Sequence, residues 1–239
     1  MLNWEGGPPE PVLEDLTDDL LGRIFFTGGY LSSYWGNLLD LLLVCKRLKA
    51  LGQRSIPRLS AEANGRMHAT WLCVTMPRMV SNLRVLRLDF TFPTEDFPGD
   101  FGERIAPLAP YLATLSCRGT SLDDAALHSI CQHLPSLTYL DISKSQRALA
   151  ALVTDIGCES LAQLRGLCWL NLAMTRITDA TIAVLADHAH ALRHLGLDCC
   201  SLLTDECFSF LEHMELETLD VSSCELLTNN AFFKLGNKR

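Results

Sequence analysis

Between His188 and Cys207 the chain carries three histidines (188, 190, 194) and three cysteines (199, 200, 207), side chains that in combination bind zinc. Paired zinc cysteines usually come as C-x-x-C, and none occurs in this stretch. Asp and Glu are scattered rather than set at fixed intervals, which argues against repeated calcium loops. There is no G-x-x-x-x-G-K-[ST] run and no Gly-rich turn after a strand to cradle a phosphate. Ser, His, Asp and Cys are all present, but no spacing singles out a nucleophile with its base. The expectation is a chain with no catalytic residue, no metal and no cofactor. Binding is the chemistry left, and it depends on which elements place which side chains.

Those elements repeat. The segment 192–205 reads LRHLGLDCCSLLTD, and its pattern of leucines recurs from Leu83, Leu112, Leu137, Leu167, Leu192 and Leu216, at intervals of 29, 25, 30, 25 and 24 residues. That period is the one of leucine-rich repeats. Each L-x-x-L-x-L opening predicts a short strand with leucines inward and the intervening residues outward. Each return segment predicts a helix: Ile177-Thr178-Asp179 leads to Ile182 and Leu185, and Leu203-Thr204-Asp205 leads to Phe208 and Leu211. Leu122-Asp123-Asp124, Val153-Thr154-Asp155 and Leu227-Thr228-Asn229 fit the same frame. The fold class is therefore α/β, a right-handed solenoid of about six or seven strand–helix repeats, since no repeat can bury its apolar face alone.

The eighth residue after each first leucine is Thr91, Thr120, Ser145, Thr175, Cys200 or Cys224. A small polar group there can pair backbone atoms that the turn would otherwise bury unsatisfied. Asn or Cys is usual at this place, and the pattern resembles the cysteine-containing subtype of the repeat. The frame also disperses the zinc candidates: Cys200 points inward, His194 outward, and His188 and His190 lie on the far rim. Cys117, Cys158, Cys200 and Cys224 take core positions as small apolar groups, which fits reduced thiols better than disulfides.

The outward strand positions form a concave face. On it Tyr139, Trp169 and His194 stand side by side, with Asp141, Asn171 and Asp198 nearby; these six are the candidate target-binding residues. The competing reading is a row of aromatics covered by a loop, such as the insert 146–152. The irregular stretch 90–110, with prolines at 93, 98 and 107, predicts a loop-like return segment.

The N-terminal part differs. The net charge is −8, and Glu5, Glu10, Glu14, Asp15, Asp18 and Asp19 supply six of those negative charges before residue 23. No basic stripe offers itself to nucleic acid, and no apolar run approaches the roughly 20 residues of a membrane span. Residues 1–12 predict a loose Gly- and Pro-rich tail. Residues 13–52 predict a small helical module, in which LTDDLLGRIFF is followed by LLDLLLVCKRLKAL; six of the seven residues in 38–44 are apolar, more than so small a unit can cover. Residues 53–82 predict a linker and a degenerate capping repeat, with Ile56, Leu59 and Ala61 echoing the strand frame 27 residues before Leu83. The repeats then run over 83–239.

Leu16, Asp19, Leu20, Ile24, Phe25, Leu41, Val44, Cys45, Lys46 and Arg47 resemble the F-box pattern, with Thr17 where proline is usual and Leu48 where tryptophan is usual. An F-box followed by cysteine-type repeats resembles the F-box/leucine-rich-repeat family. That resemblance implies a non-catalytic substrate receptor of an SCF-type cullin–RING ubiquitin ligase, cytoplasmic or nuclear. Its adaptor-binding residues would be Leu16, Leu20, Ile24, Phe25, Leu41, Val44, Cys45 and Lys46, docking on a Skp adaptor, while the concave face holds a protein target. The alternative is a leucine-rich-repeat interaction scaffold unconnected with ubiquitin transfer. A small-molecule sensor ranks behind both, because so few repeats enclose little volume. At the other end, the last strand, Leu216–Val221, is expected to present an open edge prone to self-association.

Overall fold

The computed structural model describes residues 58–60, 83–89, 99–144 and 153–229. Seven three-residue strands, β1 (Arg58–Ser60), β2 (Val85–Arg87), β3 (Thr114–Ser116), β4 (Tyr139–Asp141), β5 (Trp169–Asn171), β6 (His194–Gly196) and β7 (Thr218–Asp220), form one parallel sheet in chain order. Each strand spans the third to fifth residues of its repeat. The register puts Leu59, Leu86, Leu115, Leu140, Leu170, Leu195 and Leu219 in one line across the sheet. The strand of the degenerate first repeat lies where the frame from Ile56 places it, and the rest of that repeat, up to residue 82, lies outside the described residues. So does the whole N-terminal module.

The first, fourth and sixth residues of each repeat build the core. Leu167, Leu170 and Leu172 are fully buried, as are Leu83, Leu86 and Leu88 in an earlier repeat. The last repeat is packed less well: Leu216, Leu219 and Val221 are only partly buried against the stack. Within the described sheet β7 is thus an edge with half its apolar side uncovered.

After four of the strands the same residue of the repeat enters the left-handed region: Gly119 (φ 67°), Met174 (60°), Cys199 (57°) and Ser223 (57°), while Lys144, its equivalent after β4, does not. Only the first is a glycine; the others accept a conformation that disfavours an L side chain because the stack imposes it. The next residue closes the turn. Thr120 donates its hydroxyl to the Cys117 carbonyl at 2.7 Å and Thr175 to that of Leu172 at 2.6 Å. Cys200 and Cys224 reach back one repeat, their thiols donating to the Leu172 and Leu197 carbonyls at 3.3 and 3.2 Å. The expected pairing of buried backbone groups by this position is what the structure shows at Thr120, Thr175, Cys200 and Cys224, and it explains why either Thr or Cys serves there. Burial holds the Cys200 thiol protonated, its pKa raised to about 11.

The Thr-Asp pair at the start of each return segment does more than cap a helix. Thr178 Oγ1 accepts from the Ala180 N–H of its own helix, Asp179–His188, and donates to Asp155 of the preceding repeat at 2.8 Å. Asp155 also accepts from the Thr178 N–H at 2.9 Å and from Thr181 Oγ1 at 2.5 Å. Thr154 binds Asp124, Thr204 binds Asp179 and Thr228 binds Asp205 through the same N–H and hydroxyl pair. From the repeat of Leu112 onward, a ladder of aspartates therefore pins each repeat to the next along the rim where the return segments begin.

One expectation is corrected. The return segment of the repeat from Leu83 is not wholly loop-like: Phe101–Ile105 is helical and runs into a 3-10 turn, Ala106–Leu108. Pro107 sits in the first turn of that 3-10 segment, where its missing N–H leaves no bond unmade. Gly102 is required for this packing, since a Cβ there would lie 2.1 Å from the Ser129 carbonyl oxygen of the neighbouring helix.

Candidate interaction surface

The register aligns Tyr139, Trp169, His194 and Thr218 as direct neighbours on the concave face. Tyr139 and Trp169 stack with ring centroids 4.0 Å apart and planes 6° from parallel. Both are half-buried, and Leu170 and Leu172 are fully buried, so strand alternation turns Trp169 and Asn171 outward. His194 leans toward β7: its Nδ1 lies 2.8 Å from Thr218 Oγ1 and its Nε2 3.8 Å from Glu217.

The three polar candidates sort differently. Asp141 is buried, not presented to solvent as expected. Its Oδ1 accepts from the Ser143 N–H at 3.0 Å and the Ser143 hydroxyl at 2.6 Å, and desolvation raises its pKa. The acid is thus committed to its own turn. Asn171 Oδ1 likewise accepts from the Ala173 N–H at 3.0 Å. Asp198 remains partly exposed, and Asp220 is exposed, with its pKa lowered by hydrogen bonds from Ser222. The acidic character of the face therefore sits at β6 and β7, not at β4.

A groove of about 360 Å³ crosses these strands, lined among others by Trp169, Asn171, His194, Gly196, Asp198 and Asp220, with Arg118 and Lys144 also in its wall. Sequence reasoning passed over Lys144, whose only cue is a lone cation at a turn position between two serines. Its side chain is buried, and its Nζ donates to the Thr120 and Leu122 carbonyls at 3.2 and 2.5 Å. Burial lowers its pKa to about 8. A neutral amine still has two N–H groups for two carbonyls, so deprotonation costs no hydrogen bond. Because the folded-state value lies below 10.5, the unfolded chain binds the extra proton, and stability should rise as pH goes from about 8 to 10.5. Lys144→Met should lose that rise and cost about 1–3 kcal/mol by leaving both carbonyls unpaired. Urea unfolding of the two proteins at pH 7 and pH 10 checks both.

The His/Cys stretch does not converge. Cys200 and Cys207 are buried, Cys199 is partly exposed, and His188 and His190 are exposed on the helix and the turn after it. Among the described residues no three His, Cys, Asp or Glu side chains come together as metal ligands, and no helix is long and apolar enough to cross a membrane. The eight adaptor-binding candidates, Leu16 to Lys46, lie outside the described residues.

No family model and no curated protein matches the sequence. Solved structures do match. A chain in the crystal structure of the yeast Rad7–Elc1 complex superposes with a TM-score of 0.60 at 19% identity, over 91% of this chain and 56% of that one. This chain thus spans little more than half the length of that protein. An internalin, inlF of Listeria monocytogenes, matches with a TM-score of 0.46 at 18% identity, over 69% of this chain and 48% of its own. TLR13, in its complex with ssRNA13, gives 0.46 and 18%, over 74% and 26%. The described chain is a leucine-rich-repeat solenoid.

Proposed function

We propose that the chain is a substrate receptor of an SCF-type ubiquitin ligase, its N-terminal segment docking on a Skp adaptor and its concave face holding a protein target. The observation that carries this reading is one of order. A run with the F-box spacing of apolar residues, LTDDLLGRIFF then LLLVCKRL, is followed by a stack in which cysteine thiols, those of Cys200 and Cys224, close two of the turns. Such a receptor performs no bond chemistry; it raises the effective concentration of a target near the charged enzyme. The aromatic row suits that task, because interfaces draw most of their energy from a few large anchors. The yeast neighbour was solved in a complex with Elc1, which supports a partner-bound role for this chain. The working location would be the cytoplasm or nucleus. Co-expression of the full chain with a Skp adaptor tests the proposal: a stoichiometric complex on gel filtration is expected. Separate elution would leave the interaction-scaffold reading.

A further inference from the structure

Gly196 occupies the middle of the groove and leaves its floor bare. It faces outward from β6, yet a Cβ there would lie 2.7 Å from Asn171 Oδ1, so no larger residue fits without displacing that side chain. The side chains of its nearest neighbours on the sheet face are polar or aromatic. Asn171 and Asp220 are its register partners on β5 and β7, and His194 and Asp198 precede and follow it by two residues. Strands lie ~4.8 Å apart and alternate residues ~6.6 Å apart, so these side chains border the bare backbone of Gly196 within the groove. Trp169 stands diagonally across. One indole face is taken by Tyr139, which does not line the groove, whereas Trp169 does, with His194 as its register neighbour on the other side.

The charges around this space are unequal. Asp198 and Asp220 reach it, and Glu217 stands beside His194. Of the two cations in the wall, Lys144 turns its ammonium onto the carbonyls of Thr120 and Leu122, and Arg118 follows β3, three strands away from β6. We propose that the protein partner places an arginine side chain over Gly196, its guanidinium packed against the Trp169 indole and donating to the Asp198 and Asp220 carboxylates. A planar cation satisfies both the flat indole and the paired acids, which an ammonium cannot do equally well. This inference rests on the concave face being the target surface and adds the chemistry it selects.

The Trp169 indole N–H resonance of the full chain, assigned by its loss in Trp169→Phe, should shift on titration with the blocked peptide acetyl-GGRGG-amide. The citrulline peptide, equal in shape but uncharged, should bind about tenfold more weakly, and the lysine peptide several-fold more weakly. Asp198→Asn with Asp220→Asn keeps the oxygen that accepts from Ser222 and should abolish the arginine preference. Equal binding of the three peptides, or a preference that survives the double substitution, would overturn the proposal. The wider reading fails separately, if Trp169→Ala leaves the affinity for the whole protein target unchanged.

Discussion

Leu20→Asp combined with Ile24→Asp should abolish co-purification with a Skp adaptor. The two residues stand four apart in the apolar run LTDDLLGRIFF, the spacing that puts both on one helical face. A carboxylate driven into an apolar interface without a partner costs several kcal/mol, so two of them should reduce affinity by about a thousandfold or more. Unfolding of the repeats, followed by circular dichroism, should be little changed, because the substitutions precede the stack in the chain. An adaptor complex that survives both changes would mean that the F-box resemblance carries no function here.

Asp155→Ala should cost about 3 kcal/mol of stability, the largest expected effect of one substitution in the rim ladder. Asp155 accepts from the Thr178 N–H, the Thr178 hydroxyl and the Thr181 hydroxyl, and its loss leaves three donors without their acceptor. Burial raises its pKa, but those hydrogen bonds outweigh it and hold the carboxyl below the ordinary value of 3.8. The sign follows: a carboxylate with a depressed folded-state pKa contributes its stability above the unfolded value and loses it as pH falls through the folded one. Urea midpoints of the parent and Asp155→Ala should therefore differ at pH 7 and converge toward pH 2. Equal midpoints at pH 7 would show that the ladder is incidental to the stacking of repeats.

Much of this architecture was legible because a solenoid is close to one-dimensional. A leucine spacing fixes strand, register and facing of side chains together, and so Trp169, Tyr139 and His194 lie where the frame puts them. The Thr-Asp pair was legible as a cap but not as a bridge, because its acceptor belongs to another repeat. Asp141 was read as a surface acid; nothing in an alternating strand signals that Ser143, two residues on, will take its carboxylate. Lys144 went unnoticed for a related reason, since its two acceptors are carbonyls more than twenty residues earlier in the chain. The helical turns of Phe101–Leu108 were masked by prolines that the first turn of a helix tolerates.

In the proposed function, the aromatic row on the concave face is where a protein target is held. The most direct measurement is the dissociation constant of a target recovered through the adaptor complex, compared between the parent chain and Trp169→Ala by titration calorimetry, with melting temperatures alongside. Truncating a central aromatic anchor should cost about 2 kcal/mol or more, a thirtyfold loss of affinity. The half-buried indole gives up its stacking on Tyr139, worth about 0.5–1.5 kcal/mol, so the melting temperature should fall by only a few degrees. An unchanged affinity in a folded Trp169→Ala protein would contradict the account and place the target elsewhere on the chain.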